Sequence, residues 1–419
     1  MTKTNPTPTW PNPKQLAFKR HADWSLYLAI VLILGLIRFF FTRVAFDDEA
    51  RHLAQIDRFI HGDLRPASDL AMTPGYHAFM ALVTKLLGTT SLEAMRTVNV
   101  VISAVCIGTF AMLLRQVHGR VPAQRLIQFS FFPIILPYYF LVYSDIFSLL
   151  LVLTAMLLAL RRQHFFAALA AIAGVTVRQT NIVWLVLAPV LAYCMHNDFA
   201  LRRAPIVGFM KTGWFYALGV FGFALFVYWN RGVAIGEKTL NPAFSFHLGN
   251  IYFFLALYGV FFLPRIVGRR REIALFIRDH RYTGAALAPL FALYLLGFQA
   301  DDHPDNRFAP KFFLRNRILM SIAASPLIKI VAFLPMGLAA LDILATSVRK
   351  REIWLVLLFT TLALVPAWLV EQRYYIIPFA LLLLLRGEER PKVEMAMSLS
   401  YVALSTIFIY GIQNHYFFL

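Results

Sequence analysis

Three consecutive acids, Asp47-Asp48-Glu49, follow directly on the first long apolar run of the chain. A carboxylate at that place suits removal of a proton from an acceptor hydroxyl, or a cation contact. The plainer account is a solvated loop opening a helix, since acidic side chains favour a helix N-terminus. Ala50, Leu53, Ile56 and Ile60 recur at helical spacing, so 48–61 reads as an amphipathic helix. Asp48 and His52 then lie one turn apart and face one site. Four more polar clusters follow. Arg178-Gln179-Thr180-Asn181 separates two short apolar runs. It is either an external turn or a helix break lining a cavity, and its arginine suits a bidentate phosphate contact. Asp301-Asp302-His303-Pro304-Asp305-Asn306-Arg307 holds four metal-ligating residue types, but in neither EF-hand nor helical His-pair spacing, so no metal is called for. Glu371-Gln372-Arg373-Tyr374 ends another apolar run, and Gly236-Glu237-Lys238 lies in a loop with His247.

Composition decides what must hold these residues. Of 419 residues, 59% are hydrophobic and 15% charged, and the mean hydropathy is +0.64. A soluble protein carries roughly a quarter charged residues. The chain is therefore expected to be an integral membrane protein, which excludes a cytosolic enzyme, a secreted disulfide scaffold and a disordered chain. Its 39 Phe and 17 Tyr suit lipid contact and aromatic belts. Cys106 and Cys194 sit in apolar runs and read as small buried hydrophobes.

The apolar runs predict an all-α polytopic bundle of about thirteen spans, near 24–44, 95–114, 126–142, 146–160, 164–177, 181–194, 213–230, 249–264, 283–299, 318–345, 353–370, 374–386 and 394–412. The whole chain, 1–419, reads as one domain, with no repeat at a fixed period. Residues 1–23 form a polar cytoplasmic tail without signal-peptide character, and 45–94 is the first exoplasmic loop. With that tail inside, the cytoplasmic loops hold 24 of the 40 Lys and Arg but 7 of the 22 acids, as the positive-inside rule requires. The net charge of +18 is thus a membrane-topology signal, and no nucleic-acid partner is expected. The balance holds only if 76–87 does not cross. That segment is expected to lie along the outer surface, capped by Thr73, with Pro74 in its first turn and stopped by Gly88. The strongest polar clusters then share the exoplasmic side. An acid there can take a proton while arginines neutralise a leaving phosphate. The expected phosphate ligands are Arg178, Arg307 and Arg373.

Asp48-Glu49 with His52, Thr73-Pro74-Gly75-Tyr76, Arg96 with Asn99, Arg178-Gln179-Thr180-Asn181-Ile182-Val183-Trp184, Gly236-Glu237-Lys238, Asp305-Asn306-Arg307 and Glu371-Gln372-Arg373-Tyr374 with Pro378 occur in this order along nearly the whole chain. In this the sequence resembles the dolichyl-phosphate-glucose α-1,2-glucosyltransferase family. The resemblance implies a GT-C glycosyltransferase with a lumenal or periplasmic site and no cofactor. It implies inverting transfer of glucose from a polyprenyl (dolichyl) phosphate donor to a lipid-linked oligosaccharide within the membrane. The base falls on Asp48 or Glu49, with Asp48 preferred. His52, Gln179, Asn181, Lys238, Asn306 and Glu371 are the expected substrate contacts. The compartment is the endoplasmic reticulum membrane in a eukaryote and the inner (plasma) membrane in a bacterium. The alternatives are a GT-C enzyme moving another polyprenyl-linked sugar to a bacterial glycan, lipid or protein, and a transporter or flippase.

Overall fold

A computed structural model describes residues 20–200, 203–236, 238–241, 245–280, 282–299 and 302–419. The tail 1–19, Glu237 and Asp301 lie outside the described residues. Among the described residues the chain is helical, with one isolated bridge pairing Phe313 and Phe418. The first half comprises α1 (Arg20–Phe40), α2 (Glu49–Ile60), α3 (Gly75–Leu87), α4 (Leu92–His118), α5 (Ala123–Ser130), α6 (Asp145–Leu160), α7 (His164–Val177), α8 (Ile182–His196) and α9 (Arg203–Asn230). The second half comprises α10 (Gly249–Phe261), α11 (Leu263–Gly268), α12 (Arg270–Asp279), α13 (Tyr282–Gly297), α14 (Pro304–Arg307), α15 (Leu314–Ala324), α16 (Pro326–Ser347), α17 (Glu352–Leu364), α18 (Ile376–Leu385) and α19 (Pro391–Gln413).

Among the described residues, five helices are long and apolar enough to cross a bilayer: Leu92–His118, Gln179–His196, Pro205–Asn230, Pro326–Ser347 and Pro391–Gln413. Shorter apolar helices stand among them. The most apolar one, α18, reads Ile-Ile-Pro-Phe-Ala followed by five Leu and is buried along its whole length. A helix that is hydrophobic on every face has to be enclosed, so α18 stands in the middle of the bundle. Arg373 lies on the 3-10 turn Gln372–Tyr375 that enters it.

Several expected spans are interrupted, and proline explains where. The run 126–142 is helical only as α5. Pro133 and Pro137 withhold amide donors, and the chain continues through a 3-10 turn, Leu136–Tyr139. The run 318–345 divides into α15 and α16, because Pro326 holds Ser325 in the extended region, at φ −135° and ψ 118°. The surface segment forms α3 and stops at Gly88, whose φ of 66° is left-handed. Thr73 does not cap it; its hydroxyl donates to the Val175 carbonyl at 3.0 Å. Gly75 is needed for close approach, since a Cβ there would overlap the Thr176 backbone. Charge inside the bundle is paired. Asp342 accepts from Arg265, from Arg269 at 2.6 Å and from Tyr258 at 2.8 Å.

Candidate active site

The acid triplet opens α2. Asp47 adopts φ 43°, a conformation that costs energy in a residue with a Cβ. The turn it makes sends the two carboxylates that follow in different directions. Asp48 is half-buried and accepts from Arg373 at 3.1 Å and from Arg51 at 3.2 Å. Glu49 is fully buried. It accepts from Arg96 Nε at 2.8 Å and Nη2 at 2.5 Å, and from the Phe46 and Val142 amides at 3.0 and 2.8 Å. With four donors on it, Glu49 has no free edge for a substrate. The expectation of a catalytic role is corrected: Glu49 is a structural anchor.

What Glu49 anchors is the irregular segment 131–144, almost all of it buried. Buried backbone groups must be paired; turn bonds within the segment pair several of them, and side chains pair others. Arg96 donates to the Thr42 carbonyl at 2.5 Å and the Val44 carbonyl at 2.8 Å. Asn99 donates to the Tyr138 and Leu141 carbonyls at 2.8 and 2.6 Å. Asn250 does the same for Ala367 and Leu369, both at 2.9 Å. Asn306 is buried and clasps Val370, donating at 2.9 Å and accepting at 3.1 Å.

These clasps present a cluster of charge. Arg373 lies against Asp48 and, at 3.5 Å, Glu371, with its guanidinium 5.3 Å from the centre of the Tyr143 ring. Glu371 also accepts from Arg315. Arg178 donates to Asp145 at 2.7 Å, and Asp145 is buried at the first position of α6. Burial disfavours the Arg373 cation, but Asp48 and then Asp145 outweigh it and hold its pKa well above the usual arginine value. Arg315 and Arg373 share one carboxylate, Glu371. Several buried polar atoms around them have no hydrogen-bond partner: Asp145 Oδ2, Asn181 Oδ1, Glu371 Oε1, Gln372 Oε1 and Arg373 Nη1. Buried groups left this way are costly unless a water or a polar ligand supplies the missing bond.

Other expected contacts are spent on the scaffold. Gln179 donates to the Ala71 carbonyl at 2.9 Å and accepts from the Thr73 amide at 3.1 Å. Asn181 donates to Ser148 at 2.7 Å and the Gly174 carbonyl at 2.8 Å, leaving only its oxygen free. Lys238 is exposed and donates to the Asn230 carbonyl within its own loop. Arg307 is exposed, and Arg315 reaches the cluster instead. His303 accepts from the Asp305 amide at 3.1 Å and caps α14. Sequence reasoning missed Asp145, which sits singly at the start of an apolar run, and Arg315, although Arg315-Asn316-Arg317 is itself a polar cluster before an apolar run. It also missed His77.

His77 Nε2 lies 2.8 Å from His52 Nδ1, and the rings stack at 5.0 Å. Burial pushes His77 down to about 4, and burial together with His77 holds His52 well below its usual value. Both are neutral in the folded protein at pH 7. Between the ordinary histidine value of about 6.5 and the folded values, the unfolded chain takes up protons that the folded chain refuses. This contribution is complete above pH 6.5 and is lost as pH falls toward 4. Each ring contributes up to about 1.4 kcal/mol per pH unit in that window. The melting temperature should fall on acidification from pH 6.5, and His77→Phe should flatten the fall. An equal slope in the variant would dismiss the pair as its cause.

An apolar groove of about 720 Å³ opens beside the cluster, between α3, α7 and α9. Thr73, Pro74 and Thr176 form its polar end, and Arg178 follows Thr176 by two residues.

An acid on the first loop, clustered arginines and an adjoining apolar groove can be compared with known proteins. A protein of Arabidopsis thaliana, "Dol-P-Glc:Glc(2)Man(9)GlcNAc(2)-PP-Dol alpha-1,2-glucosyltransferase", is 23% identical over 86% of this chain and 89% of its own length. The Rattus norvegicus protein of the same name is 24% identical over 80% of this chain and 83% of its own. Among solved structures, the archaeal oligosaccharyltransferase AglB from Archaeoglobus fulgidus aligns over 95% of this chain and 56% of its own, at 15% identity and a TM-score of 0.40. The DIE2/ALG10 family matches residues 42–205 and 193–384. Those matches take in the acid triplet, the Arg178–Asp145 pair and the Arg373 turn together, and the chain belongs to the DIE2/ALG10 family.

Proposed function

We propose that this protein is an inverting GT-C glycosyltransferase. It moves glucose from a polyprenyl phosphate to a lipid-linked oligosaccharide and forms an α-1,2 linkage. The observation that carries the reading is the charge cluster in which Arg373 pairs with Asp48 and shares Glu371 with Arg315, with the Arg178–Asp145 pair in the same family-matched region. Asp48 is the base. It takes the proton of the acceptor hydroxyl as that oxygen bonds to the anomeric carbon. The bond from that carbon to the phosphate oxygen breaks, and the polyprenyl phosphate leaves with the electron pair. Arg373 and Arg178, with Arg315 behind Glu371, stabilise the charge that develops there. Family membership and the names of its relatives support the donor and acceptor.

In this reading the chain is a single domain of thirteen spans. Short helices such as α6 and α7, and the broken runs α5 and α10–α11, count among them. Its site faces the lumen of the endoplasmic reticulum, or the periplasm in a bacterial host. The test is incubation of purified protein with a panel of polyprenyl-phosphate sugars and lipid-linked glycan acceptors. Consumption of the glucose donor with a new α-1,2 product supports the reading; consumption of none of the donors ends it.

The apolar groove is the seat of the prenyl chain, because its polar end leads to Arg178. A Cβ at Gly222, on the α9 wall, meets nothing within 4 Å, so a larger side chain there enters open groove without disturbing packing. Overfilling a packed site costs about 1–3 kcal/mol, so Gly222→Trp, by competing with the prenyl chain for the groove, should raise KM for a long-chain donor roughly 10-fold. A donor with a very short chain should be unaffected. Equal effects on both donors would place the chain elsewhere.

A further inference from the structure

The free atoms around Arg373 have a chemistry of their own. Four of the five are acceptors: Asp145 Oδ2, Asn181 Oδ1, Glu371 Oε1 and Gln372 Oε1. A phosphate brings acceptors too, so it can satisfy Arg373 Nη1 but not these four. They suit a ligand with several O–H donors. Asp145 is the strongest of them, since bonds to a carboxylate are charge-assisted. It is 3% exposed, and its other oxygen is committed to Arg178 at 2.7 Å. Ser148, one turn along α6, ties Asn181 to the same face. Gln372 donates to the Tyr138 hydroxyl at 3.2 Å, which turns its own oxygen free. Arg178 and Asp145 thus make a composite: the guanidinium is available to the phosphate and the carboxylate to what the phosphate carries.

We propose that Asp145 is the sugar-recognising carboxylate of the donor site, its Oδ2 accepting hydroxyl hydrogens of the transferred hexose with Gln372 Oε1 beside it. This rests on the donor reading above. It adds a division of labour: Arg178 and Arg373 read the phosphate, Asp48 performs the proton transfer, and Asp145 selects the sugar. A site built to bond a hydroxyl discriminates strongly against the ligand that lacks it, because the acceptor is then left unpaired.

The test compares two ligands, polyprenyl-phosphate glucose and bare polyprenyl phosphate, on wild-type protein and Asp145→Asn. The amide retains an oxygen for Arg178 but loses the negative charge. Wild type should prefer the glucosylated lipid, and Asp145→Asn should lose that preference by about 10–100-fold, while bare-lipid binding holds or tightens because Arg178 is no longer neutralised. A purely structural role would weaken both lipids equally and would overturn the proposal, as would no change in either. A second arm needs no variant. Monodeoxy-glucose donors offered to wild type should show at least one hydroxyl whose removal raises KM 10-fold or more; a flat series overturns the proposal. If wild type consumes no polyprenyl-phosphate sugar at all, the donor reading itself has failed. If it consumes the glucose donor while Asp145→Asn discriminates as wild type does, only the role of Asp145 has failed.

Discussion

Asp48→Asn should lower the rate of glucose transfer by about 10²–10⁴-fold, the range that a positioned general base contributes. Donor binding should not weaken. Asp48 neutralises Arg373 across 3.1 Å, and its loss frees that guanidinium for the donor phosphate. KM for the donor should therefore stay level or fall while kcat collapses, the pattern of an interaction made in the transition state alone. Arg51 donates to Oδ1 and Arg373 to Oδ2; the amide keeps an oxygen for one of them, and the exposed Arg51 can turn to solvent, so the opening of α2 should survive. The measurement is single-turnover transfer from polyprenyl-phosphate glucose, with folding checked by thermal melting. Transfer within five-fold of wild type would remove Asp48 from the mechanism. Arg373→Lys separates the partners. It keeps a charge near Asp48 but loses the planar fork, so it should raise KM as well as lower kcat.

Much of this was legible in the amino acids, for a physical reason. A membrane chain has few charges, and each is expensive unless it has a partner or a task. Polar clusters at the ends of apolar runs therefore point to the site, and Asp48, Arg178, Glu371 and Arg373 were found that way. What sequence cannot give is which use a polar residue has. Asp48 and Glu49 are adjacent and chemically alike, yet one is half-buried beside Arg373 and the other is sealed by Arg96. The difference lies in the turn at Asp47 and in the Val142 amide, 93 residues away. Asn181 and Asn306 mark the site because irregular backbone must be clasped there, as Asn99 and Asn250 also do. Asp145 was invisible, since it stands alone in its segment, and Arg315 could not be told from its neighbour Arg317; each becomes informative only beside its partner. The amphipathic pattern of α2 found part of the inner face: Leu53, Ile56 and Ile60 pack against the core, but Glu49, His52 and Gln55 point inward as well and Ala50 is exposed. Helix ends inside apolar runs were hidden too, because hydropathy does not register the missing amides of Pro133 or Pro326.

Glu49 should behave as the inverse of its neighbour. Glu49→Ala leaves the Arg96 guanidinium buried without its counter-charge, and breaking a buried pair from one side costs about 3–5 kcal/mol. It also strips the acceptor from the Phe46 and Val142 amides, each an unpaired buried donor worth about 1–3 kcal/mol. Loss of folded protein should therefore precede any kinetic effect. Glu49→Gln is milder, because the amide still offers one oxygen to the four donors. Removing the charge on both sides should not restore stability. In Glu49→Leu with Arg96→Met the ion pair is gone, but the Phe46 and Val142 amides and the Thr42, Val44 carbonyls still lack partners. The double variant should melt well below wild type, unlike cases where a buried pair yields to apolar packing without loss. Full recovery in the double variant would mean that the segment 131–144 holds itself, and that Glu49 serves only to neutralise Arg96. Failure to recover, with Asp48→Asn melting near wild type, would establish that two adjacent carboxylates divide support from chemistry.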